Sequence, residues 1–230
     1  MNILVILTAN EGCNEAHTYP ACLSEVDGVP IIEQIIKQIQ PIKGSKNIYA
    51  IYQSHVKKFH LSEVVKLLDP EAIIYKIENN PEGNACTALM SWGYLDKNEP
   101  LLIIGGNSLI LEDFNRMLLD FMVRQLDGGV VVFNSIDPRR SYVRLDKEGL
   151  VEEVADHRPI SKNACADFYF FRSAGIFLEA TQSMIRKDAR SNGYFPIAPI
   201  FNQMLLDNMR IGIYSISRAQ YIHPNSHPGN

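Results

Sequence analysis

The chain has 230 residues, 46% of them hydrophobic and 21% charged, with a formal net charge of −4. A chain of this length buries roughly 70–75% of the surface it exposes when unfolded, enough for an α/β domain without disulfide or metal staples. The composition excludes intrinsic disorder, a collagen-like chain and a coiled-coil rod, and the acidic balance argues against a dedicated nucleic-acid binder.

The segment Met1 to Leu7 has no basic region before it and leads into a polar loop, so it reads as a first strand and not a signal peptide. No apolar run approaches the ~20 residues of a membrane span. Cys13, Cys22, Cys86 and Cys165 lie far apart, without metal-ligand spacing, and are expected as reduced thiols of a cytoplasmic protein.

Ile3 to Leu7 is a continuous apolar run, as in a strand buried on both faces. After a polar loop and the turn Val26-Asp27-Gly28-Val29-Pro30, Ile31, Ile32, Ile35, Ile36 and Ile39 recur at helical spacing opposite Glu33, Gln34, Lys37 and Gln38. Strands are expected at Asn47 to Tyr52, Ala72 to Ile77, Leu101 to Ile104 and Val130 to Phe133. Helices are expected between them: Leu61 to Leu68, a segment after Pro81-Glu82-Gly83 carrying Ala85, Ala88, Leu89 and Trp92, and Phe114 to Leu126. The alternation predicts an α/β fold, a mostly parallel sheet with helices on both faces. In the second half, Tyr142 to Leu145 and Val151 to Val154 flank Asp146-Lys147-Glu148-Gly149 as an antiparallel hairpin. A strand at Phe168 to Phe171, helices near Ile176 to Arg186 and Ala198 to Leu206, and a last strand at Ile211 to Ile216 follow, then a loose, turn-forming tail from His223.

Ligands of open α/β sheets bind beyond the carboxyl ends of the strands. That rule selects three loops: Thr8 to Gly12, Asn79 to Asn84 and Gly105 to Ser108. In the second, Gly83 permits close backbone approach where a helix N-terminus offers N–H groups to an anion. All three also read as ordinary turns.

Three stretches resemble the sugar-phosphate nucleotidylyltransferases, in particular a bacterial surface-polysaccharide branch. The segment from Tyr19-Pro20-Ala21 to Val29-Pro30-Ile31-Ile32-Glu33 is similar to "FPKPLIEVNGKPMIE", and Pro81-Glu82-Gly83-Asn84-Ala85-Cys86-Thr87-Ala88-Leu89 to "TEGAACTVL". The third runs from Asp127-Gly128-Gly129 through Ser141-Tyr142-Val143-Arg144-Leu145-Asp146 and Val154-Ala155-Asp156-His157-Arg158-Pro159-Ile160-Ser161 to Asn192-Gly193-Tyr194-Phe195-Pro196-Ile197-Ala198-Pro199. The resemblance implies the Rossmann-like nucleotide-diphospho-sugar transferase fold in one domain, with residues 1–135 serving the nucleotide and 136–222 the sugar phosphate. It implies attack of a sugar 1-phosphate oxygen on the α-phosphorus of a nucleoside triphosphate, with pyrophosphate leaving and Mg²⁺ as cofactor.

On that resemblance the nucleotide-side candidates are Thr8, Ala9, Asn10, Glu11, Gly12, Glu82, Gly83 and Asn107, and the sugar-phosphate-side candidates are Glu153, Arg158 and Asp167. Asn107 falls where the family's metal aspartate stands if the strand is aligned without a gap, and Ser108 does with a one-residue slip. The pattern is broken elsewhere. The first loop lacks the family's arginine and carries Glu11, the "PK" lysine falls on Ala21, a glycine of the sugar pocket falls on Asp167, and the acidic residue after Asn192-Gly193 falls on Tyr194. His17 and Arg158 are candidate compensating cations, with Arg139, Arg140 and Lys162 nearby in sequence, and His17, Arg158, Arg139 and Arg140 each have an alternative as a solvated charge. Arg139 and Arg140, after Asp137-Pro138, read as solvated turn charges, Asp167 reads also as a strand-edge charge, and Phe168 to Phe171 as core.

Three functions fit: an enzyme making a nucleotide-sugar or a related activated phosphate for a surface polysaccharide; a catalytically impaired module that binds nucleotide or nucleotide-sugar; and a glycosyltransferase on the same fold. No Asp-x-Asp motif follows Ile104, which ranks the last lowest. The partners expected are a nucleoside triphosphate or nucleotide-sugar and a sugar phosphate, with neither nucleic acid nor membrane.

Overall fold

The computed structural model describes residues 1–8, 19–78 and 81–223. In chain order its elements are β1 (Asn2–Ile6), β2 (Glu25–Val26), β3 (Val29–Pro30), α1 (Ile31–Ile39), β4 (Lys46–Tyr52), α2 (Gln53–Phe59), α3 (Leu61–Leu68), β5 (Ile73–Ile77), α4 (Asn84–Met90), β6 (Leu101–Gly105) and β7 (Leu109–Ile110). They continue with α5 (Phe114–Val123), β8 (Gly128–Asn134), β9 (Ser141–Leu145), β10 (Val151–Asp156), β11 (Asn163–Phe171), α6 (Ala174–Arg186), α7 (Ile200–Leu206), β12 (Ile211–Ile216) and β13 (Tyr221–Ile222).

One nine-stranded sheet dominates. Its path is β10-β9-β11-β6-β1-β4-β5, with β8 paired to β11 and β12. The junctions β6–β1, β1–β4 and β4–β5 are parallel, as helical crossovers require. β11 enters antiparallel to β6, and β9 and β10 form the expected antiparallel hairpin. The alternation of side chains along β1 divides the core. Ile3 and Val5 join the cluster beneath α1, α3 and α5, whereas Leu4 and Ile6 join the one beneath α4, α6 and α7. All five isoleucines of α1 are buried, each contributing about 2 kcal/mol by removal from water. The Phe168 to Phe171 run is buried core, with Phe168 and Phe170 on one face and Tyr169 and Phe171 on the other.

Several boundaries differ from the sequence reading. The segment after β4 continues directly as α2, which His60, in the left-handed conformation, separates from α3. α4 stops at Met90, leaving Trp92 exposed on a following 3₁₀ turn. β11 begins at Asn163, five residues before its aromatic run. Cys22, Cys86 and Cys165 are thiols, and Cys13 lies outside the described residues. No helix among the described residues is long and apolar enough to cross a membrane.

The course of β11 positions the site. On one edge it pairs with β6 from Phe168 to Phe171 and with β9 at Asn163 and Ala164. On the other, its register against β8 shifts between Cys165 and Tyr169. Asp167 lies at this irregularity, with φ of 55°. There β6 ends and β9 has not begun, so the sheet splits beside the carboxyl ends of β1 and β6.

Candidate active site

The split opens into a cleft of about 310 Å³. Thr8 follows β1, Asn107 follows β6, Asn84 opens α4, Arg140 and Ser141 stand at the start of β9, Asp156 ends β10, and Asp167 comes from β11. The Thr8 hydroxyl donates to Asn84 Oδ1 at 3.3 Å, tying the ends of β1 and α4 together.

Arg140 is the principal buried cation of the cleft. Its side chain is only 16% exposed, and its guanidinium lies 4.7 Å from the Tyr221 ring and 5.2 Å from the Phe133 ring, which are themselves stacked at 4.3 Å. Arg140 Nη1 donates to the Tyr221 hydroxyl at 2.8 Å, and that hydroxyl donates to Asp167 Oδ2 at 3.3 Å. The Tyr169 hydroxyl donates to Asp167 Oδ1 at 3.3 Å. Burial opposes the Arg140 charge, yet Tyr221, Asp167 and Asp137 together hold its pKa above the ordinary value. Burial also pushes Asp167 up, against the pull of Arg140 and the two tyrosines. The guanidinium thus lies beside the stacked ring pair, a setting that suits arginine, whose delocalised charge is weakly hydrated and keeps several donors in a fixed fork.

Around this centre the other charges divide. Arg139 is exposed and grips Asp137 with Nε 2.9 Å from Oδ1 and Nη2 2.7 Å from Oδ2; that bond holds the Asp137 carboxyl down to about 2. Asp156 accepts from the Ser141 hydroxyl at 2.5 Å on Oδ1. Its Oδ2 is buried without a hydrogen-bond partner, with His157 Nε2 3.6 Å away. His223 closes one side, its pKa pushed down to about 4 by burial and then by Arg140 and Arg139.

Thr8, Asn107 and Asp167 therefore meet in one cleft. Ala9, Asn10, Glu11, Gly12 and His17 lie outside the described residues, as does the tail beyond His223. Glu82 does not line the cleft, and its carboxylate pairs with Arg190 Nη2 at 2.8 Å. Gly83 has φ of 113°, and a β-carbon there would lie 2.5 Å from the Phe195 carbonyl oxygen, so its freedom serves the approach of Phe195. The Ala85 N–H already donates to that carbonyl. Glu153 joins Arg144 at 2.5 Å and Arg158 at 2.8 Å. Arg158 faces a more open neighbouring cavity of about 550 Å³, which shares Asp156 and His157 with the first.

Sequence reasoning named Arg140 as a possible compensating cation but favoured a solvated charge, and it missed Asp156, His157 and Tyr221. Residue parity carried a signal: Arg140 lies two before Tyr142, and Asp156 two after Val154, and residues two apart along a strand share a face.

The expected Mg²⁺ would meet the neutral amide oxygen of Asn107 where a carboxylate is usual. Among the described residues no group of three or more His, Cys, Asp or Glu side chains could hold a metal. Mg²⁺ keeps several waters and commonly takes one or two carboxylates with substrate phosphates. The donor set thus fits the ion only when it arrives on a polyphosphate, with Asn107 as a neutral ligand.

No family model matches the sequence. The bifunctional protein GlmU of Streptococcus pyogenes is 23% identical over 205 residues, spanning 84% of this chain and 42% of GlmU, so the chain spans less than half of that relative. A nucleoside-diphosphate-sugar pyrophosphorylase of Vibrio cholerae superposes with a TM-score of 0.78 at 17% identity, covering 96% of this chain and 94% of the other. The inositol-1-phosphate CTP transferase of T. maritima superposes with a TM-score of 0.73 at 14% identity, covering 98% and 90%. The superpositions accord with the ordered sequence resemblance and show that the chain has the fold of these nucleotidyltransferases.

Proposed function

We propose that this protein transfers a nucleoside monophosphate from a nucleoside triphosphate to a sugar 1-phosphate or a related phosphate ester, for a surface polysaccharide. An acceptor phosphate oxygen forms the new bond to the α-phosphorus; the bond from that phosphorus to the α,β-bridging oxygen breaks, and pyrophosphate leaves with the electron pair. The work is positioning and charge neutralisation.

The observation that carries this reading is the convergence of Thr8, Asn84, Asn107 and Arg140 at the carboxyl ends of β1 and β6, where ligands of open α/β sheets sit. Arg140 supplies a fixed positive charge to an approaching phosphate. Its place beside the Phe133 and Tyr221 rings and its bond to the Tyr221 hydroxyl pre-orient it, so little reorganisation accompanies binding. Thr8 and Asn84 hold the nucleotide side of the cleft. Asn107 would hold Mg²⁺, which when bound neutralises charge on the leaving pyrophosphate.

A pyrophosphate-release assay across the four nucleoside triphosphates and a panel of sugar 1-phosphates, with Mg²⁺ or Mn²⁺, tests the reading. Release that depends on both substrates is expected, and silence across the panel would refute it. The carboxylates of the cleft and the neutral Asn107 favour a second reading, a module that binds nucleotide-sugar without turnover. Its signature is a thermal shift with a nucleotide-sugar in the absence of pyrophosphate release.

A further inference from the structure

The inner end of the cleft carries more negative charge than a phosphate pocket needs. Asp167 stands where the resembling family has a glycine, and it keeps a left-handed backbone in mid-strand, φ 55°. Glycine adopts that conformation freely and aspartate at some cost, a strain that persists where surrounding structure enforces it. The opposite strand accommodates the side chain: a β-carbon on Gly105 would lie 2.8 Å from Asp167 Cβ.

Asp156 is the second anion. Asp156 lines the cleft with a side chain 6% exposed, and its buried Oδ2 has no hydrogen-bond partner, with His157 Nε2 3.6 Å away. Asp137, the third, is already matched by the two-bond grip of Arg139. Among the described residues lining the cleft, Arg140, itself 4.0 Å from Asp137, then remains as the fixed cation for Asp156 and Asp167. Phosphate bound to Arg140 would draw on the same charge, leaving both carboxylates less compensated in a poorly solvated site. A sugar hydroxyl would satisfy the open lone pair of Asp156 but not the charge. An ammonium group satisfies both.

We propose that the acceptor is a phosphate ester bearing an ammonium group, an amino-sugar phosphate or an aminoalkyl phosphate, with the ammonium held by Asp167 and Asp156 and the phosphate directed to Arg140. This inference rests on the nucleotidyl-transfer reading above and narrows its substrate class.

Calorimetric titration of the full chain with glucosamine 1-phosphate, glucose 1-phosphate and phosphoethanolamine tests it. The first two differ by one ammonium in place of a hydroxyl, and the third carries the ammonium without a ring. At least one aminated ester is expected to bind about tenfold or more tighter than glucose 1-phosphate. In Asp167→Asn, and separately in Asp156→Asn, the ratio should shrink to about twofold or less, with folding checked by circular dichroism. Equal or tighter binding of glucose 1-phosphate by the wild type, or a preference that survives both substitutions, overturns the inference while leaving nucleotidyl transfer intact. No binding by any of the three esters overturns it too, and absence of pyrophosphate release across the wider panel of sugar 1-phosphates would then take the transfer reading with it.

Discussion

Arg139 and Arg140 are the same residue type, side by side in one turn, and they have opposite fates. Arg139 points into solvent and holds Asp137, whereas Arg140 is sandwiched between the cleft and the rings of Phe133 and Tyr221. Composition and local charge cannot distinguish them; the parity of the following strand can, because Arg140 shares a face with the buried Tyr142. The companion Tyr221 lies 81 residues away, so no local pattern announces the pair. His223, next to this cluster, supplies a residue-scale prediction. Its folded pKa of about 4 lies below the ordinary value near 6.5, so between these limits the unfolded chain binds more protons than the folded one. The contribution of His223 is fully present above pH 6.5 and is lost as pH falls toward 4. Urea midpoints measured at pH 7, 5.5 and 4.5 should fall more steeply for the wild type than for His223→Gln. Parallel profiles would show that His223 is not buried beside the arginines.

At the scale of elements, the strands and helices that bury one continuous stripe were readable from the sequence, β1 and α1 above all. What escaped were elements set by partners distant in the chain. α2 has no side-chain cap and follows β4 without a loop, so no turn chemistry marks its start. The irregularity of β11 against β8 coincides with a change of neighbour on its other edge, β6 giving way to β9, and alternation along one strand is silent about which neighbour it meets. The Pro81-Glu82-Gly83 segment was legible as a glycine requirement but not for its reason. Its backbone is joined to Phe195 by Phe195 N–H to Glu82 oxygen at 2.8 Å and Ala85 N–H to Phe195 oxygen at 3.0 Å, which fixes the start of α4 and with it Asn84. Gly83→Ala is therefore expected to lose at least about 2 kcal/mol, from a forbidden φ and a backbone clash. Gly149→Ala, in a left-handed turn with open space around it, should lose about 1 kcal/mol. Chemical denaturation of the two variants compares them directly, and equal losses would mean that the approach of Phe195 does not constrain Gly83.

For the whole molecule, the parallel strands supply a rim and the antiparallel strands supply the charge. β1 and β6 end at Thr8 and Asn107, while β9, β10 and β11 bring Arg140, Asp156 and Asp167. Neither half forms the cleft alone. On the proposed reading, the cations that the sequence resemblance lacks at its usual positions are answered by Arg140, held beside the Phe133 and Tyr221 rings at the cleft.

Incubation with a nucleoside triphosphate labelled at the α-phosphorus, with a sugar 1-phosphate or an aminated phosphate ester as acceptor, tests that arrangement most directly. Label should pass into a nucleotide-linked product only when both substrates are present. Arg140→Lys, which keeps the charge and loses the planar fork of donors held beside Tyr221, should lower transfer by at least about tenfold. Unchanged transfer in a folded Arg140→Lys protein, or no transfer from any of the four nucleotides to any acceptor, would contradict the account.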